Sequence, residues 1–181
     1  MKRWLLMFVA TTALAGPMIP DDSIYLLESS WTDQAGQELK LRDLAGKPVL
    51  LGMFYTSCEY SCPLIVEDIK RVEARVSRKT HDWQVVLVSL DPLTDTPAKL
   101  REFAAKRGIP GTGWRLLTAA DVDDVRELSA LIGTHYKRAG REIAHSNLMV
   151  VLDARGTIAF SKPRLKQQID ETASTIVNLA R

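Results

Sequence analysis

Two largely apolar runs constrain this chain more than any other feature: Pro48 to Tyr55 (PVLLGMFY), which is continuous, and Trp83 to Leu90 (WQVVLVSL), broken only by Gln84 and Ser89. A strand with one wet face alternates apolar and polar side chains, whereas a run without alternation suits a strand buried on both faces. Such strands call for covering helices, and the sequence supplies them. Between the runs, Leu64, Ile65, Ile69, Val72 and Val76 recur at helical spacing, with Pro63 suited to the first position. After the second run, Thr96-Pro97 opens a helix that stops near Gly108. Trp114 to Leu117 reads as a short strand. Thr118 and Asp121 resemble a capping box before Val122, Val125, Leu128 and Ile132, with a stop at Gly133. Asn147 to Leu152 and Thr157 to Phe160 read as a hairpin across Asp153 to Gly156. Leu165 to Ala180 reads as a last amphipathic helix, with Leu165, Ile169, Ile176 and Leu179 on one side. At the front, Ile24 to Ser30 and Gln37 to Leu41 read as an N-terminal β-hairpin around Asp33 to Gly36. This order predicts an α/β fold with a central mixed sheet flanked by helices.

Composition narrows the reading. With 181 residues, the chain suits one domain that buries roughly two-thirds of its unfolded surface. A 46% hydrophobic content and a net charge of +2 exclude a disordered chain and give no electrostatic footprint for nucleic acid. Lys2 and Arg3 are the only charges in the first fifteen residues, so the remainder is formally neutral. Trp4 to Ala15 is uncharged and ends in Ala13-Leu14-Ala15, a small-x-small cleavage pattern followed by Gly16-Pro17. The apolar stretch is shorter than the roughly 20 residues that a membrane span needs. Residues 1–15 are therefore expected to be a cleavable signal peptide and residues 16–181 an exported, periplasmic domain. The alternative is an uncleaved anchor in the inner membrane.

Two cysteines are too few for a disulfide scaffold, and their placement points to chemistry instead. Cys58 and Cys62 lie where a buried strand gives way to a helix. Strand carboxyl ends hold ligands in α/β folds, and a helix N-terminus stabilises a thiolate. At i, i+4 the pair is one helical turn apart, close enough for a disulfide or for a shared metal ion. A bridge across so short a loop removes little chain entropy, which argues against a purely stabilising role. Of the three histidines, His81 reads as a solvated position and His135, after the Gly133 helix stop, as a surface or packing residue. His145 directly precedes the apolar strand at 147–152. Two thiolates and one imidazole form a soft site of three ligands. Sulfur favours Cu(I), imidazole also accommodates Cu(II), and structural zinc normally takes four protein ligands.

Three segments carry a resemblance: Thr56-Ser57-Cys58-Glu59-Tyr60-Ser61-Cys62-Pro63, Val88-Ser89-Leu90-Asp91-Pro92-Leu93-Thr94-Asp95-Thr96-Pro97, and Ile143-Ala144-His145-Ser146. Together they are similar to the Sco/SenC family of copper-binding, thioredoxin-like proteins, over roughly residues 22 to 181. The resemblance implies a thioredoxin-like fold, with copper as Cu(I) or Cu(II) held by Cys58, Cys62 and His145. It implies a metallochaperone delivering copper to the dinuclear centre of cytochrome c oxidase. Its partners would be the oxidase's copper-site subunit and, on the supply side, another periplasmic copper chaperone or a thiol reductant. The second reading treats Cys58 and Cys62 as a redox-active pair in a thiol–disulfide oxidoreductase that keeps oxidase copper-site cysteines reduced. A thiol peroxidase fits less well, because Thr56 and Cys58 are too close for the usual peroxidatic loop. Asp91 and Asp95 follow a strand end beside the cysteine loop. Each is expected either to hydrogen-bond that loop or orient His145 from behind the ligands, or to serve turn and cap chemistry alone.

Overall fold

The computed structural model describes residues 19–59, 61–140, 142–163 and 168–181. In chain order, the strands are β1 (Ser30–Asp33), β2 (Glu38–Lys40), β3 (Val49–Phe54), β4 (Gln84–Ser89), β5 (Trp114–Ala119), β6 (Tyr136–Ala139), β7 (Glu142–His145), β8 (Leu148–Leu152) and β9 (Ile158–Pro163). The helices are α1 (Ser61–Val76), α2 (Pro97–Lys106), α3 (Val122–Ile132) and α4 (Ile169–Leu179). Seven strands form one mixed sheet in the order β2-β1-β5-β4-β3-β8-β9, and β6 and β7 pair separately. β3 is parallel to β4 and β4 to β5, while β8 runs antiparallel to β3 on its other side. All six residues of β3 are buried, as are five of the six in β4, which accounts for the lack of apolar–polar alternation in both. α1 packs against α4, and α2 and α3 lie against β5.

Thr96 caps α2 by accepting the Lys99 N–H, with Pro97 behind it. Three local readings change. Ile24–Leu26 is a short 3-10 helix rather than the start of a strand, because Ile24 and Tyr25 are buried against the β8–β9 turn. There the Ile24 N–H donates to the Gly156 carbonyl and Ser23 Oγ to the Arg155 carbonyl. The N-terminal hairpin remains, formed by Ser30–Asp33 and Glu38–Lys40. Thr118 stays within β5, and Asp121 itself caps α3 by accepting the Asp123 N–H, so the expected capping box does not form. The β6–β7 hairpin occupies a stretch between Gly133 and Asn147 to which the sequence pattern assigns no element. The expected signal peptide and Leu165 lie outside the described residues. Among the described residues, no helix is long and apolar enough to cross a membrane.

Candidate metal centre

Sheet direction brings three segments to one place. Because β3 and β4 are parallel, the loops that follow them emerge at the same end of the sheet. β8 is antiparallel to β3, with Gly52 opposite Met149, so the start of β8 lies beside the end of β3. The cysteine loop leaves β3, Asp91 to Asp95 leaves β4, and His145 closes β7 just before β8.

Cys62 sits in the first turn of α1 and is fully buried, while Cys58 is 5% exposed in the loop before it. First-turn N–H groups have no carbonyl to reach within their own helix. The Cys62 N–H donates instead to Cys58 Sγ at 3.3 Å. Both residues are thiols. His145 is half-buried, with Nε2 3.9 Å from Cys62 Sγ and Nδ1 3.2 Å from the Ser146 carbonyl oxygen. Donation of an Nδ1–H to that carbonyl turns the Nε2 lone pair toward sulfur, the tautomer a metal ligand needs. The three ligand atoms of Cys58, Cys62 and His145 all lie within 4.8 Å of one another. Two soft sulfurs and one imidazole nitrogen suit copper; Cys58 and His145 line a cleft of about 740 Å³, and the fully buried Cys62 lies beside them. His81 and His135 are exposed and stand outside this cluster.

The two acids have different roles. Asp95 is fully buried and accepts from the Thr56 N–H at 2.9 Å, from the Thr56 hydroxyl, and from Ser89 Oγ at 2.6 Å. It thus ties the beginning of the cysteine loop to the end of β4. Asp91 directs its buried carboxylate to Arg138 on β6, at 2.6 Å, and its carbonyl accepts the Thr94 and Asp95 N–H groups that form the turn.

Tyr55 and Arg138 are site residues that the sequence does not single out. Tyr55 packs edge-on to His145, with ring centroids 6.0 Å apart and planes at 74°. Its hydroxyl accepts the Ile143 N–H at 3.4 Å. Burial pushes the Tyr55 phenol up from its ordinary pKa, and the neighbouring Cys58 and Cys62 reinforce that against the opposing Ile143 N–H. A hydroxyl at the end of an otherwise apolar run was a visible signal for Tyr55, whereas Arg138 gave none.

The SCO1/SenC family model matches residues 26–181. The chain belongs to the SCO1/SenC family. A Bacillus subtilis SCO1 protein homolog is 26% identical over 125 residues, covering 68% of this chain and 65% of the relative. The chain therefore spans a little under two-thirds of that SCO1 relative. Among solved structures, Bradyrhizobium japonicum ScoI with copper bound superposes with a TM-score of 0.69 at 22% identity, covering 83% of this chain and 96% of ScoI. BsSco is described as a member of the Sco family of cytochrome c oxidase assembly proteins with a disulfide switch. It superposes at 0.76 and 21% identity, over 88% of this SCO1/SenC chain and 96% of its own. These likenesses establish the thioredoxin-like fold of the Sco proteins for this chain.

Proposed function

We propose that this chain binds one copper ion through Cys58, Cys62 and His145 and delivers it to the dinuclear copper centre of a cytochrome c oxidase. The observation that carries the reading is the convergence of the three donors within 4.8 Å, two of which, Cys58 and His145, line an open cleft. Copper is the cargo. The reduced thiols supply two soft ligands and the imidazole a third, and a fourth can come from the receiving subunit. Transfer then proceeds by ligand exchange, the partner's cysteines and histidines displacing the chain's donors in turn. Support comes from ScoI, solved with copper bound, and from BsSco, described within a family of oxidase assembly proteins.

Copper titration of reduced wild type and of His145→Ala, read by electron paramagnetic resonance and thiol counting, tests this reading. Wild type is expected to bind about one equivalent. His145→Ala is expected to lose at least about tenfold in Cu(II) affinity while still forming the disulfide. Wild-type affinity in that variant overturns the three-ligand site.

A second reading rests on the Cys62 N–H donated to Cys58 Sγ, which favours a thiolate at the helix start. In it, the two thiols give two electrons and two protons to a disulfide of the partner, which becomes a dithiol as Cys58 and Cys62 form a disulfide. His145→Ala would then still complement an oxidase-assembly defect, which the copper reading forbids. Export to the periplasm belongs to the same proposal, and N-terminal sequencing of the mature protein checks it by looking for a start at Gly16.

A further inference from the structure

His145 rides on the β6–β7 hairpin, which pairs within itself and stands apart from the seven-stranded sheet. The short link to β8 brings it to this end of the sheet, and side-chain contacts then fix its position over the cysteines. Two contacts reach the hairpin from the loops that build the site. Arg138 stands opposite Ile143 in the ladder and sends Nη2 to Asp91 Oδ1 at 2.6 Å. The Asp91 side chain is only 6% exposed, and its backbone carbonyl accepts two N–H groups in the turn after β4. Tyr55, at the end of β3, accepts the Ile143 N–H, and its hydroxyl also meets the Cys58 side chain. Ile143 is buried, and residues two apart on a strand share a face, so fixing Ile143 aims His145 toward the sulfurs.

We propose that Arg138 and Tyr55 are positioning residues that hold His145 within reach of Cys58 and Cys62 without touching the metal themselves. The proposal rests on the copper reading for its ligand and on the hairpin contacts for its geometry. Arg138 ties the histidine arm to the β4 loop, and Tyr55 ties it to the cysteine loop. The two segments that supply the ligands are thereby held in register by residues that supply none. Partners placed this way behind a ligand commonly govern affinity through orientation alone.

The test uses Arg138→Gln and Tyr55→Phe, each alone and each combined with His145→Ala. Each single variant is expected to bind Cu(II) about tenfold more weakly, the lower end of the effect for an outer-sphere partner. In the His145→Ala background, the same substitutions are expected to change affinity by less than about twofold, since the residue they act through is gone. Arg138→Lys, which keeps the charge, is expected to recover most of the loss. In the metal-free protein, amide exchange at Ile143 is expected to quicken about tenfold in both single variants, as local opening becomes easier. Wild-type Cu(II) affinity in both single variants overturns the proposal, as does an equal loss with and without His145. If wild type takes up no copper, the copper reading fails by itself. Metal-free exchange then decides the positioning role, and unchanged exchange at Ile143 sinks it.

Discussion

Asp95 shows what a single buried carboxylate does at this site. Its two oxygens face three donors, the Thr56 N–H, the Thr56 hydroxyl and the Ser89 hydroxyl. Ser89 Oγ also accepts the Asp91 N–H, so its own proton is committed to Asp95. An amide there keeps its oxygen for the Thr56 N–H and the Ser89 hydroxyl, turns its NH2 to the Thr56 hydroxyl, which must then accept, and gives up the negative charge that strengthens all three bonds. Asp95→Asn is therefore expected to lower unfolding free energy by about 2 kcal/mol in a denaturant titration, as charge-assisted hydrogen bonds become neutral ones. A loss under about 0.5 kcal/mol would show that the network relaxes around the change. Tyr25 is the opposite case: a fully buried phenol whose hydroxyl finds no hydrogen-bond partner among the described residues. Burial, helped by the Asp153 carboxylate, pushes that phenol above its ordinary value. The folded state thus holds its proton where the unfolded chain, titrating near pH 10, has released it. Stability from this group is whole below about pH 10 and declines as pH rises beyond it. Tyr25→Phe is expected to gain about 1 kcal/mol at neutral pH and to flatten the alkaline decline, measured by urea titration at pH 7 and pH 11. At this scale, the sequence made Cys58, Cys62 and His145 legible, because strand ends and donor chemistry are both visible in it. The route from Asp91 through Arg138 was not, since an ion pair spanning 47 positions leaves no local trace.

Elements were legible where their burial was periodic. β3, β4 and α1 announce themselves through apolar runs or helical spacing, and Thr96-Pro97 marks the start of α2 within the chain's own chemistry. The β6–β7 hairpin does not, because Ile143 is its one buried residue and its other positions carry no alternation. Contacts with Tyr55 and Asp91 support it, which is why pattern alone assigns it no element. The segment at 24–26 errs the other way: its apolar residues are real, but docking on the β8–β9 turn bends them into a 3-10 helix. That docking can be measured. Gly156 has a φ of +84°, and a Cβ there would fall 2.5 Å from Ser23 Oγ and from Tyr25 Cγ. Gly36 has nearly the same φ, +85°, with nothing within 4 Å. Gly36→Ala is expected to cost about 1 kcal/mol, the backbone penalty alone. Gly156→Ala is expected to cost at least about 3 kcal/mol, because overpacking adds to that penalty. Equal losses in thermal or denaturant unfolding would show that the N-terminal segment yields without resistance.

At the scale of the whole molecule, the mixed sheet is the device that makes the site possible. Two parallel strands present their carboxyl ends together, and one antiparallel strand brings its beginning to the same edge. The histidine thus arrives from 83 positions beyond Cys62. That arrangement also has a meaning in time. A chain made from its N-terminus, or threaded through a membrane in that order, presents both thiols well before the histidine that faces them. Until β8 is in place, β3 has β4 on one side only, and its other edge is open to stray pairing. The pair is most exposed to oxidants and to unintended metals during that interval, when the sheet has not yet closed over it. A complete site is therefore a report that the chain has been made through β7: no fragment ending before His145 can carry all three donors.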